Sequence, residues 1–149
     1  MADVISSFRG EFAFLSNFEA CDIYYENIMY PSVEHAFQAT KTTNEGERLA
    51  IANAATPGKA KQMGRAVTLR ADWEEVKDSI MDQLLALKFG QGLRRAQLFS
   101  TGDRVLIEQN FWHDQYWGCC YCPKHKDIPG RNQLGVALMN LRARLAASR

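Results

Sequence analysis

The sequence carries no excess of charge of either sign: 18 Lys and Arg against 17 Asp and Glu leave a formal net charge of +1 over 149 residues. That excludes the global basic field of a duplex-wrapping protein, so any nucleic acid has to be recognised locally. Long apolar runs are missing as well. The start, MADVISSFRGEF, has neither a basic segment nor an apolar stretch, so no signal peptide or membrane span is read and cytoplasmic residence is the expectation. There is no low-complexity tract, internal repeat or inter-domain linker, and the glycines are too few for a P-loop. Cysteine is scarce outside one place: three of the four sit in CCYC, at Cys119, Cys120 and Cys122. In a cytosolic chain these are expected to be thiols, and their even count says nothing about pairing.

What is present is enough apolar material for one core. A hydrophobic fraction of 46% in 149 residues fits a single domain spanning 1–149, since chains of this size bury roughly two-thirds of their unfolded surface. Ile23 to Tyr25 and Ile28 to Tyr30 flank Glu26 and Asn27, which predicts two short strands joined by a two-residue turn. Helices are predicted over Glu45 to Ala54, from Pro57 with Thr56 as cap and Gly64 as stop, and from Asp72 to Gly90. In the last of these Val76, Ile80, Leu84 and Leu87 recur at helical spacing, and Asp72 with Glu75 resembles a capping box. Leu98 to Gln109 reads equally as helix or strand. Leu134, Leu138, Leu141 and Leu145 mark a terminal amphipathic helix after Gly130-Arg131-Asn132. The expected class is α+β, mainly helical with a small β component.

The most informative stretch is YPSVEHAFQATK, residues 30 to 41. Ser32 is a good N-cap, and at about 100° per residue Val33, Ala36, Phe37 and Thr40 gather on one face. Glu34, Gln38 and Lys41 then form a stripe along its edge. That stripe is either a solvated flank or the floor of a cleft.

FLSNF (Phe14 to Phe18), YPSVEHAFQATK, MGR (Met63 to Arg65), DxxWG (Asp114 to Gly118) and GRNQLGVALMNLR (Gly130 to Arg142) together resemble, in order, the motifs of the YbiA-like or NADAR family. Five motifs in register are far more specific than one short pattern. The resemblance implies a small N-glycosidase that needs no cofactor. Its substrate would be a phosphorylated ribosyl-base small molecule, a phosphoribosylamino-pyrimidine intermediate of riboflavin synthesis. The alternatives are ADP-ribose removed from guanine bases in nucleic acid, and a non-catalytic module that binds ADP-ribose-like ligands or is stabilised by zinc.

Breaking a ribose–nitrogen bond calls for a carboxylate beside the cationic sugar carbon and an acid/base at the leaving nitrogen. The resemblance assigns that pair to Glu34 and Asp114; alone, the first is an acid in a helix's first turn and the second an ordinary loop acid. Lys41 either neutralises a phosphate or attacks the opened sugar as an amine, and the sequence favours the former because it shows no desolvation of the amine. Gln38 suits ribose hydroxyls. Trp73 and Trp117 fall where the family has functional tryptophans, ahead of Trp112 and Tyr116, and stacking contributes on the order of 1 to 3 kcal/mol per base. Core packing is the rival role for each. Ser16, Asn17 and Phe18 offer a hydroxyl, an amide and a ring on one loop; the alternative is a tight turn held by Asn17. Arg9, Arg65 and Arg131 are candidate phosphate cations, with Asn132 and the free N–H groups at the start of the last helix beside Arg131. Where many relatives are glycine-rich, this chain has CCYCPKHKDIPGRN. There Cys119, Cys120, Cys122 and His125 approximate zinc-ligand spacing, a structural zinc being one alternative and plain thiols the other.

Overall fold

The computed structural model describes residues 3–90 and 92–148. Along the chain lie β1 (Val4–Ile5), a 3-10 helix (Gly10–Leu15), β2 (Ile23–Tyr25), β3 (Ile28–Tyr30), α1 (Val33–Ala39), α2 (Glu45–Ala52) and α3 (Pro57–Gly64). They are followed by α4 (Trp73–Phe89), α5 (Gly92–Ser100), β4 (Val105–Leu106), β5 (Gln109–Asn110), β6 (Cys119–Cys120) and α6 (Gln133–Ala147). The class is α+β with helices dominant. Two compact units emerge, one running from Asn17 to Lys88 and the other built from the segments on either side of it.

The Asn17–Lys88 unit begins with the β2–β3 hairpin, antiparallel with Ile23 opposite Tyr30 and Tyr25 opposite Ile28. Its turn residues, Glu26 (φ 48°) and Asn27 (φ 73°), are both left-handed, the geometry that matches the twist of a two-residue hairpin. Ile23, Ile28 and Tyr30 face inward while Tyr24 and Met29 are exposed, as a period of two requires. The Ser32 Oγ accepts the His35 N–H at 3.1 Å and so caps α1. The His35 ring is buried between Ser32 Oγ, 2.7 Å from Nδ1, and the Ala54 carbonyl, 3.0 Å from Nε2. It thereby ties α1 to the end of the α2 segment. α3 starts as predicted, with Thr56 Oγ1 accepting from the Lys59 N–H at 3.0 Å and Pro57 in the first turn.

α4 departs from its predicted stripe. Leu87 is 43% exposed, and Lys88 occupies the core position one turn beyond Leu84. The Asp72 carboxylate, expected to complete a capping box, is instead gripped by Arg70 at 2.7 and 3.2 Å. The Lys88 side chain is fully buried, with its ammonium 3.5 Å from Glu19 Oε1, and burial pushes its pKa down from 10.5 to about 8. Nearby, burial pushes the Cys21 thiol up, with Lys88 opposing. The folded chain then binds fewer protons at Lys88 than the unfolded chain between those two values. This group's contribution to stability therefore rises from about pH 8 to about pH 10.5, against an opposite slope from Cys21. Urea midpoints of wild type and Lys88→Met taken from about pH 7.5 to about pH 10 isolate it. The wild-type curve should climb relative to the variant's; parallel curves would remove Lys88 as a titrating core group.

In the other unit the strands are too short for periodicity to announce them. β1 pairs with β4 in parallel, Ile5 beside Leu106, and β5 pairs with β6 in parallel, Asn110 beside Cys120. The ambiguous Leu98–Gln109 stretch is therefore both kinds of element: it closes α5, then supplies β4 and the first residue of β5. α6 buries Leu134, Leu138 and Leu141. Gly135 lets it lie against β4, because a Cβ there would collide with the Leu106 carbonyl.

Candidate active site

All seven residues of α1 are buried, Glu34 at 8% exposure and Gln38 at 4%. The solvated-flank alternative for this stripe is thereby excluded for both. α2 and α3 pack on the helix, and both strands of the hairpin contact it. Inside that enclosure Gln38 Nε2 donates to Glu34 Oε2 at 2.7 Å. The Glu34 N–H donates to the Asn17 carbonyl at 3.1 Å, joining the FLSNF loop to the first turn of the helix. The Asn17 amide nitrogen meets the Met81 sulfur at 3.6 Å, and its buried Oδ1, like Gln38 Oε1, has no hydrogen-bond partner. Buried polar atoms left unsatisfied cost free energy and are uncommon in folded proteins.

Lys41 follows the end of α1, its N–H bonded to the Gln38 carbonyl at 3.3 Å and its own carbonyl receiving the Arg70 N–H at 2.7 Å. Burial pushes its pKa down, the Glu34 carboxylate pulls it back up, and Arg65, Lys61 and Lys77 add to the lowering. Desolvation, which the sequence did not reveal, is thus the leading influence on this amine. Glu34, Gln38, Lys41 and Arg65 consequently form one electrostatic group, and α3 delivers Arg65 as its C-cap.

The tight approach of α3 to α1 depends on Gly64, where a Cβ would overlap the Gln38 amide oxygen. Gly64→Ala should cost about 1 to 3 kcal/mol, as overpacking does, and push Gln38 off Glu34. Chemical denaturation measures it. A variant with unchanged stability would show that the contact is slack.

Trp73 is 7% exposed, with its ring 5.0 Å from Phe37 at an interplanar angle of 53°. Its first task in this geometry is to anchor the start of α4 on α1. Phe18 is 45% exposed. A groove of about 470 Å³ in the same unit is lined by Tyr25, Glu26, Arg48, Arg70, Glu75 and Gln83 among others, and neither Glu34 nor Lys41 contributes to it. Its cations are already committed, Arg48 to Glu26 at 3.6 Å and Arg70 to Asp72 at 2.7 Å, which makes it the weaker candidate.

Arg9, Ser16, Asp114, Trp117, Arg131 and Asn132 belong to the other unit. Arg9 is exposed and precedes the 3-10 helix that Ser16 follows. Asp114 Oδ1 accepts the N–H groups of Tyr116 (3.0 Å) and Trp117 (2.8 Å), closing a turn on itself. Trp117 meets Tyr116 edge-on with centroids 4.9 Å apart, and the exposed Arg131 lays its guanidinium 4.7 Å over the Tyr116 ring.

The expected anion cradle at the start of α6 needs correction. The N–H groups of Arg131, Asn132, Gln133 and Leu134 donate to the carbonyls of Gln115, Gly118, Tyr116 and Trp117 at 2.8 to 3.3 Å. They are spent on the preceding loop, so a phosphate finds no open amides there. The Asn132 side chain is spent as well, accepting from the Glu108 N–H at 3.0 Å and donating to the Leu106 carbonyl at 2.9 Å. It is a brace rather than a substrate ligand.

The expected cysteine set is also corrected. Four possible metal ligands converge, but they are His113, Cys120, Cys122 and His125. Cys119 points its thiol to the Gly130 carbonyl at 3.8 Å instead. His113 lies outside the expected set, and the spacing H-x6-C-x-C-x2-H is the signal for it in the sequence.

A family model described as the NADAR domain matches residues 5–146. The chain is 37% identical over 152 residues to the N-glycosidase YbiA of Escherichia coli (strain K12), an alignment covering 98% of this chain and 91% of that protein. It is 33% identical over 135 residues to a riboflavin biosynthesis protein of Vibrio vulnificus, covering 89% of this chain and 35% of that longer one. The NMR structure of E. coli YbiA matches with a TM-score of 0.81 at 36% identity, over 99% of this chain and 88% of that one. Among the described residues no helix is long and apolar enough to cross a membrane.

Proposed function

Because the chain belongs to the NADAR family, we propose that this N-glycosidase hydrolyses the ribose-to-nitrogen bond of a phosphoribosylamino-pyrimidine of riboflavin biosynthesis. The observation that carries this reading is the buried Glu34, held by Gln38 and within electrostatic reach of a desolvated Lys41. The name of the V. vulnificus relative and the near-neutral charge of this chain support a small metabolite over nucleic acid.

In this proposal the Glu34 carboxylate stabilises the positive charge that grows on the sugar's anomeric carbon. A lysine whose pKa is lowered by burial holds more of its amine unprotonated, which supports Lys41 as a nucleophile. Its amine adds to the anomeric carbon as the base leaves with a proton, the bond from that carbon to the ring oxygen then opens with the oxygen taking the amine's remaining proton to give an imine, and water hydrolyses the imine to release the sugar and restore the amine. Arg65 takes the phosphate. Asp114, Trp117, Arg9 and Arg131 enter on their motifs, Asp114 as acid/base and Trp117 as a stacking ring.

The direct test offers the protein a phosphoribosylamino-pyrimidine and, separately, an oligonucleotide bearing ADP-ribosylated guanine, with free base followed by chromatography. Base is expected from the first. Release from the second alone would move the substrate to nucleic acid, and release from neither would sink the hydrolase reading. Borohydride added during turnover should trap a covalent adduct of protein mass plus reduced sugar phosphate on Lys41, and Lys41→Arg should give none. Turnover without a trapped adduct returns Lys41 to a purely electrostatic role.

A further inference from the structure

We propose that His113, Cys120, Cys122 and His125 form a structural zinc(II) site. The donor atoms of the four side chains lie within 4.8 Å of one another. Three of the contacts are resolved individually: Cys122 Sγ to His113 Nδ1 at 3.3 Å, Cys122 Sγ to His125 Nδ1 at 3.2 Å, and the two Nδ1 atoms at 3.3 Å. A tetrahedron with zinc–nitrogen bonds of about 2.05 Å and zinc–sulfur bonds of about 2.3 Å has edges of about 3.4 Å (N to N) and about 3.6 Å (N to S). The observed triangle is therefore close to one face of that tetrahedron, with Cys120 Sγ as the fourth corner. Hydrogen bonding alone explains it less well, because 3.3 Å is long for a bond between two ring nitrogens. A cation between them gives both lone pairs and the sulfurs a common partner.

The backbone is arranged for this purpose. His113 is left-handed at φ 72°, an uncommon conformation for a non-glycine residue and one that histidine adopts more readily than most. Its N–H donates to Cys120 Sγ at 3.3 Å, the kind of bond that steadies a thiolate bound to metal. The Cys122 carbonyl accepts from the N–H groups of both His125 (3.0 Å) and Lys126 (2.8 Å), a tight turn that brings Cys122 and His125 to the same side. Cys120 and Cys122 are buried, whereas His113 is exposed and His125 half-buried, so the ion would load from solvent on the imidazole side. Two thiolates and two imidazoles suit zinc and leave no open position for water. The site is closed and stabilising rather than catalytic. It would staple β6 to the two loops that flank it, in a segment with little regular structure of its own.

The test is metal analysis of the intact protein, reduced and loaded with zinc chloride, then desalted. About one zinc per chain is expected in wild type and in Cys119→Ser, and about a tenth of that or less in Cys122→Ser and His113→Ala. Cobalt(II) in place of zinc should give the visible bands of a tetrahedral site and a sulfur charge-transfer band, a readout that needs only wild-type protein. Chelation should lower the melting temperature of wild type without lowering that of Cys122→Ser. Wild type that binds neither metal, or Cys119→Ser that loses zinc as fully as Cys122→Ser, overturns the proposal.

Discussion

Glu34→Gln should leave the protein folded, with a melting temperature within a few degrees of wild type, and lower turnover about 100-fold or more. The substitution is nearly isosteric, and the glutamine can still accept the Gln38 amide at the position now occupied by Oε2. What it removes is the negative charge that the proposed mechanism sets against the cationic sugar carbon. It also removes the one influence that raises the Lys41 pKa, since burial and Arg65, Lys61 and Lys77 all act the other way. The variant's lysine should therefore titrate lower than in wild type, and any surviving activity should extend to lower pH on the limb that reports a free amine. Full turnover in a folded Glu34→Gln protein would remove the carboxylate from the mechanism.

Trp73→Ala should cost about 3 to 5 kcal/mol of stability, the range for a large aromatic truncated in a core. The ring packs on Phe37 of α1 and is 7% exposed at the first residue of α4, so the cavity opens between two helices. Guanidinium titration gives the loss directly. Substrate affinity of the folded fraction then separates the two roles. If affinity holds while stability falls, Trp73 is an anchor alone; if stability changes by less than about 1 kcal/mol, the packing argument fails.

What the sequence made legible was written in neighbouring residues. The hairpin matched residue for residue because Glu26-Asn27 sits between two alternating triplets, and α3 was announced by Thr56-Pro57 and closed by Gly64. Ser32 capped α1 for the same reason. What stayed hidden depends on partners distant in the chain. The parallel pairs β1–β4 and β5–β6 are two residues long, too short for a period to show. Lys88 rather than Leu87 entered the core, where it lies beside Glu19, a partner that no helical wheel displays. The full burial of α1 needed α2, α3 and the hairpin around it at once. His113 joined the cysteines from the loop that precedes β6, and the amides at the start of α6 were claimed by a loop whose course only the fold defines.

Those claimed amides carry one more consequence. Residues 115–118 and 131–134 are laced together carbonyl to amide, so the chain between them leaves and returns through a closed neck, as an Ω-loop does. α6 is positioned by the neck, and the length of the intervening stretch has no leverage on it. Residues 123–129, beyond β6 and its pairing with β5, can therefore change in length or composition as a side branch without shifting the helix behind them. The turn that carries Cys122 and His125 is then a local feature on which the placement of α6 does not depend.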